Sequence, residues 1–492
     1  MENRSRVAVW RWVALAICAL LLVAACSDDD PSGAGAASAE TTAAATGADD
    51  GDAATTADAG EDGDQGAATT ADAGEDGDEG AAASDEEESE DSEESDDGAV
   101  SSDGCEAEET GSTPDGPTSE ASSFDIDGVQ VDLAVYPRPD HEGNPWSQWG
   151  QGIVLPDGRF LSGMGDHLGR DGNSYLFVFD SESGQMTRFA DIQSLVGHDS
   201  GSWGYGKIHS QMVQPTCDTV VFGTYWGTRE DLEFGGSYSG DYLLRLDTST
   251  LEVESLGVPI EGHGIPSLAA ADGLVYGEAA APIDDAPPER GIFFVYDPDS
   301  GEVVYQSDDP THTGFRSILV EPDGSALVAG DGSTVLEYTP GGELSEYSEQ
   351  LPAGWLRAAA APTEDGTVYG VSTEPERFFA LDPEGGFQDL GPAQEYTASI
   401  AVHPDGRIIY VPDAHGGAWE LGTPVVAFDP SNGTEEALVE LNETAERELG
   451  LTLGGTYSIA VDAERERIFI GFNAGTDPEE PWGEVVLAVI HL

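Results

Sequence analysis

Residues 316–340 read Arg-Ser-Ile-Leu-Val-Glu-Pro-Asp-Gly-Ser-Ala-Leu-Val-Ala-Gly-Asp-Gly-Ser-Thr-Val-Leu-Glu-Tyr-Thr-Pro. Pro322-Asp323-Gly324 separates two short apolar runs, Arg316-Ser317-Ile318-Leu319-Val320 and Ser325-Ala326-Leu327-Val328. Asp-Gly between such runs signals a hairpin: glycine takes a left-handed turn position without steric cost, and aspartate bonds the turn backbone. A further run ends at Tyr338-Thr339-Pro340, where the next turn begins.

Both turns recur along the chain. The strand-ending aromatic or leucine with its turn returns as Phe179-Asp180-Ser181, Leu246-Asp247-Thr248, Tyr296-Asp297-Pro298, Leu381-Asp382-Pro383 and Phe428-Asp429-Pro430. The upstream turn returns as Pro156-Asp157-Gly158, Asp272-Gly273, Asp365-Gly366 and Pro404-Asp405-Gly406. Units of about 40–50 residues with four short strands are the mark of a β-propeller blade. Seven blades are expected, starting near Trp149, Lys207, Gly264, Phe315, Trp355, Tyr396 and Gly454. The seventh runs out of chain after three strands. Residues 129–136 (Val-Gln-Val-Asp-Leu-Ala-Val-Tyr) alternate like a strand and should supply the fourth, closing the ring and removing a free sheet edge. The expected fold is therefore all-β, a seven-bladed β-propeller over 124–492. Here the chain resembles the broad propeller class of NHL, YVTN and gluconolactonase-like proteins. It has no WD dipeptide or kelch Gly-Gly repeat that would name a subfamily.

What precedes the repeats is of a different kind. Residues 1–26 carry Arg4, Arg6 and Arg11, then about a dozen apolar residues, too few to span a bilayer core of ~30 Å. The run ends Val23-Ala24-Ala25-Cys26, which resembles the lipobox of bacterial lipoproteins. That resemblance implies cleavage before Cys26, lipidation of its thiol, and a protein anchored to the outer side of the cytoplasmic membrane. Residues 27–123 hold 32 acidic residues and no lysine or arginine, with a 14-residue repeat (53–66, then 67–80) that carries no core. Such a chain is expected to be a disordered spacer, spanning roughly 50–60 Å as a random coil and more under its own repulsion.

The whole chain carries 96 acidic and 18 basic residues. A net charge of −78 excludes nucleic-acid binding by phosphate neutralisation. The body alone has 63 acids against 15 bases, and Lys207 is the one lysine of the protein. A soluble monomer on a tether is expected. Of the four cysteines, Cys18 and Cys26 lie in the signal; Cys105, near the end of the tether, and Cys217, in the first hairpin of blade 2, can pair in an oxidising compartment or remain separate thiols.

In a propeller, the hairpins after the first and third strands open on one face, and the remaining connections open on the other. The first set is uniform here. The second is long and irregular, at 163–174, 193–209, 223–241, 277–291 and 411–423, and loops on a rigid scaffold are where function is carried. His141, His167, His198, His209, His263, His312 and His415 fall on the irregular face. So do Trp146, Trp149, Trp203, Trp226, Trp355, Trp419 and Trp482. Inner strands converge on one axis, so their first residues should ring a common funnel. These include Gln151, His209, Gln211, His263, Arg316, Arg357, Tyr396 and Tyr457.

Three readings of this constellation stay open. In the first, polar inner-strand residues only solvate a channel and the protein is an interaction scaffold. In the second, Arg316 and Arg357 pair with an anion while Tyr225, Trp226, Tyr396 and Tyr457 offer stacking faces, which suits a small anionic or carbohydrate-like ligand. In the third, imidazoles hold a divalent metal. This last pattern resembles propeller polysaccharide lyases such as oligogalacturonate lyase. That resemblance implies His209, Gln211, His263 and His415 as metal ligands, with Arg316 or Arg357 on the substrate carboxylate, in a metal-assisted lyase or hydrolase.

Overall fold

The computed structural model describes Cys105 and residues 114–492, apart from 198–200, 228–237, 281–289, 308–310, 313–316, 322, 384 and 395. The signal segment with Cys26, the tether other than Cys105 and 114–123, His198 and Arg316 lie outside the described residues.

The repeated aspartates fold the uniform turns. At the end of third strands, Asp180 accepts from Glu182 N at 2.9 Å, Asp247 from Thr250 N at 2.8 Å, Asp297 from Asp299 N at 2.9 Å, and Asp429 from Ser431 N at 2.9 Å. In the other turn, Asp157 accepts from Arg159 N and Asp323 from Ser325 N, while Gly158 and Gly324 sit at φ +86° and +79°. Each repeat is thus a pair of hairpins whose aspartate side chain replaces a backbone acceptor.

Between the turns the strands pair in sequence order, inner to outer. Blade 1 is Ile153–Val154, Phe160–Gly165, Ser174–Asp180 and Gln185–Asp191. Blade 2 is Val213–Thr216, Thr219–Gly223, Leu243–Asp247 and Val253–Gly257. Blade 3 is Gly264–Ala271, Leu274–Ala280, Arg290–Asp297 and Glu302–Gln306. Blade 4 is Leu319–Val320, Ala326–Ala329, Thr334–Tyr338 and Ser345–Gln350. Blade 5 is Trp355–Ala359, Val368–Thr373, Arg377–Asp382 and Gly386–Pro392. Blade 6 is Ile400–Val402, Ile408–Tyr410, Pro424–Asp429 and Thr434–Glu440. Blade 7 takes Thr452–Asp462, Arg467–Gly475 and Glu484–His491 from the C-terminus and Val129–Val135 from the other end of the body.

The seven sheets form a ring, a seven-bladed β-propeller closed by the early strand. Gln130 to Val135 pair with His491 to Val486, antiparallel and in register. Both faces of each blade are apolar, because each packs against a neighbour, and the buried side chains fall into clusters at the seams. Phe160 stacks on Phe469 at 5.1 Å between blades 1 and 7, and Phe378 on Phe428 at 4.4 Å between blades 5 and 6. In blades 3 and 5 a glycine faces a phenylalanine across the pair: a Cβ on Gly277 or Gly370 would lie 2.2 Å from the ring of Phe294 or Phe379.

One boundary is corrected. The spacer was expected to reach residue 123, but Thr118–Glu120 pairs with the outer strand of blade 1 and Ser122–Ile126 with the closing strand of blade 7. Thr118–Glu120 is largely exposed and carries no apolar residue, while Ser122–Ile126 adds only Phe124 and Ile126, half-buried against the seam of blades 6 and 7, too short an alternation to stand out from the acidic spacer. Cys105 and Cys217 are joined as a disulfide, with Cα atoms 5.4 Å apart.

Candidate functional site

On the irregular face the centre of an aromatic cluster is Trp149, which leads into the inner strand of blade 1. Five rings surround it: Tyr457 at 5.0 Å, Trp482 and His167 at 5.6 Å, His415 at 5.7 Å, and His209 at 6.4 Å. They come from blades 1, 2, 6 and 7. Trp482 and His209 lie nearly parallel to the indole, at 10° and 5°. Offset parallel rings match the preferred geometry of aromatic quadrupoles.

Two cations adjoin this stack. Lys207 Nζ lies 4.9 Å from the ring centre of Trp149 and 5.6 Å from that of Trp226. Its backbone pairs with Tyr225 in both directions, which fixes the lysine at the entrance to blade 2. Arg357, from the inner strand of blade 5, lays its guanidinium 4.6 Å from the centre of the Tyr396 ring. Tyr396 in turn meets His415 edge-on at 5.6 Å. Aromatic faces and cations thus run without a break from Lys207 through Trp149, His415 and Tyr396 to Arg357.

The imidazoles are set by their partners. The Asn144 carbonyl accepts from His167 Nδ1 at 2.8 Å, and the Pro266 carbonyl from His209 Nδ1 at 3.3 Å, which places the proton on Nδ1 in both. His415 Nδ1 is 2.6 Å from the Tyr457 hydroxyl. Burial, and then the charge of Lys207, hold His167 well below the ordinary imidazole range, so it stays neutral and leaves the mouth's charge to Lys207 and Arg357. His167 and Tyr396 both have positive φ, +60° and +53°. Such strain in non-glycine residues gathers at functional sites.

The residues named from sequence divide. Tyr225 and Trp226 stack on each other at 4.6 Å and are buried beside Lys207. Tyr457 is buried against Trp149, while Tyr396 is exposed. Arg316 lies outside the described residues. The metal tetrad is not assembled. Gln211 Oε1 accepts from Leu268 N at 3.1 Å, His263 Nδ1 bonds the Glu261 carbonyl, and His209 and His415 each pack against the Trp149 ring, at 6.4 and 5.7 Å. Among the described residues no group of three His, Cys, Asp or Glu side chains could hold a metal ion. A cavity of 290 Å³ lies away from this cluster, at the outer strands of blades 5 and 6.

Trp149, Trp482 and His167 were placed on the irregular face from sequence, and Lys207 at the start of blade 2, but none of the four was among the binding or metal candidates. Lys207 carried a signal, being the one lysine, two residues before His209 at an inner-strand entrance. Trp149 occupies the corresponding entrance of blade 1. Nothing in its spacing marks Trp482, which reaches the cluster from a loop of blade 7.

No family model and no curated protein matches the chain. Solved structures do. The WD40 β-propeller domain of Doa1 aligns at 14% identity over 73% of this chain and 95% of that one, with a TM-score of 0.44. A streptogramin B lyase structure aligns at 11% over 73% and 98%, TM-score 0.46. The β-propeller domain of the Trilobed protease from Pyrococcus furiosus aligns at 11% over 70% and 93%, TM-score 0.42. At these identities the likeness concerns the fold alone, and the chain's own seven closed sheets make it a seven-bladed β-propeller.

Proposed function

We propose that this protein is an extracytoplasmic, lipid-anchored propeller that binds a small anionic or carbohydrate-like ligand over the axis of its irregular face. The observation that carries the reading is the unbroken series of cation–ring and ring–ring contacts from the buried Lys207 through Trp149 and His415 to the Arg357–Tyr396 stack, where Tyr396 is exposed. Tryptophan and tyrosine faces suit sugar rings, and a guanidinium stacked on an aromatic keeps its edge directed for carboxylate. A body with a net charge of −48 repels anions in general, so the gathering of cations here is selective. The anchored location is supported by the lipobox-like Val23-Ala24-Ala25-Cys26 and the acidic segment that follows it.

The test uses the full mature chain and a panel of uronate-containing oligosaccharides with neutral counterparts, read by tryptophan fluorescence and calorimetry. Uronates are expected to bind, Arg357→Ala to weaken them about 10–100-fold, and Trp149→Ala to abolish the fluorescence response. The reading fails if no panel member binds, or if both variants bind as the native chain does. A separate check on location is mass spectrometry of the N-terminus, which should find an acylated Cys26.

A further inference from the structure

The segment 105–135 touches three blades in turn. Cys105 is bonded to Cys217 in the first hairpin of blade 2. Thr118–Glu120 then pairs with blade 1 through three residue pairs, Thr118 with Thr187 to Glu120 with Gln185. Ser122–Ile126 is the outermost strand of blade 7, and Val129–Val135 is the strand that closes the ring. The Ser119 hydroxyl donates to the Val135 carbonyl, fastening the first of these strands to the last.

This order has a mechanical consequence. The chain enters the ring from the edge, through the least buried strands. Tension drawn through residue 117 would load one backbone pair at a time, peeling Thr118–Glu120, then Ser122–Ile126, then Val129–Val135. Loss of the last strand leaves blade 7 with three strands and an open edge. A disulfide changes the covalent path. Tension arriving at Cys105 passes through the two sulfurs into Cys217, and the loop between them, a sequence separation of 112, leaves the load path.

We propose that the Cys105–Cys217 disulfide is a load-bearing bypass, which passes tension from the N-terminal tether into blade 2 and shields the strands that close the propeller. The source of the tension rests on the anchored reading above; the bypass itself does not, and its test uses no ligand or membrane. Reduction supplies two electrons and two protons, returns two thiols, and restores the peeling path.

The experiment is single-molecule stretching of the full mature chain, held at its two ends, with and without a phosphine reductant. The oxidised chain should unfold with a total extension short by the locked loop, a sequence separation of 112 and roughly 400 Å. On reduction that length should appear. A new first event should also appear at several-fold lower force, releasing roughly 60 Å for the 18 residues from Thr118 to Val135. Cys105→Ser, which leaves the blade 2 hairpin intact, should reproduce the reduced trace without reductant. The proposal is overturned if the first rupture has the same force in both states, or if the oxidised chain releases the 60 Å step before any other. Failure to find acyl at Cys26 would remove the anchored reading and leave this result standing.

Discussion

Leu133→Asp is expected to prevent the ring from closing, and this should be the most damaging single substitution in the closing strand. Leu133 is 1% exposed and Val131 fully buried, both in the seam between blades 6 and 7 with Ile409, Val425, Ile459 and Ile470. An aspartate there is a charge without a partner in a dry seam, a cost of at least ~3–5 kcal/mol. Removing the leucine side chain alone, as Leu133→Ala, should cost about 2–5 kcal/mol. Asp132, on the other side of the strand, bonds His491 at 2.7 Å near the surface, and Asp132→Asn should be mild by comparison. Thermal unfolding of the three variants gives the order. The closure argument is wrong if Leu133→Asp melts within a few degrees of the native protein.

The second large effect is on pH. Three fully buried carboxyls are pushed up by desolvation: Asp166 to about 6, Asp241 to about 7 and Glu278 to about 8. Asp241 has its tyrosine and threonine partners, Tyr238 at 2.6 Å and Thr224 at 2.7 Å. Glu278 is eased only in part by the Ser267 hydroxyl, and among the described residues neither of its oxygens has a well-formed hydrogen bond. An acid with a raised folded pKa holds a proton in the native state that the unfolded chain has already released. Its stabilisation is complete below the unfolded value and is lost as pH climbs to the folded one. For Glu278 that window runs from about 4.5 to about 8.

The turn aspartates have the opposite sense. Asp247, Asp297, Asp365 and Asp429 are lowered by side-chain hydrogen bonds from their own turns, so they contribute above the ordinary carboxylate range and lose that as pH falls through it. The melting temperature should therefore peak near pH 5 and fall by roughly 5–15 °C by pH 9. Glu278→Gln keeps the shape without the charge, so it should remove much of the alkaline fall while changing little at pH 5. Equal melting shifts for Glu278→Gln at both pH values would sink the assignment of the slope to this carboxyl.

How much of this was legible in the chain differs by scale. Blade number and the closing strand could be read because local chemistry sets them: Asp323-Gly324 and Asp429-Pro430 turn the backbone wherever they stand, and Val131 and Leu133 alternate as a buried strand must. The edge strands at Thr118 and Ser122 could not, since the first is held by backbone pairing that any sequence can make and the second shows only two half-buried apolar residues, Phe124 and Ile126. The funnel was legible only as a list of entrance residues. Side-chain partners decided the rest: Gln211 Oε1 is taken by the Leu268 amide, His263 bonds the Glu261 carbonyl beside it, and His209 and His415 each pack on the Trp149 ring. Trp149 and Lys207 meet across successive blades, and Trp149 and Trp482, more than 300 residues apart, meet because the ring closes. Periodicity is a property of neighbours in sequence, so the chain alone determined the repeat. Which rings meet is a property of closure, and that was decided in three dimensions.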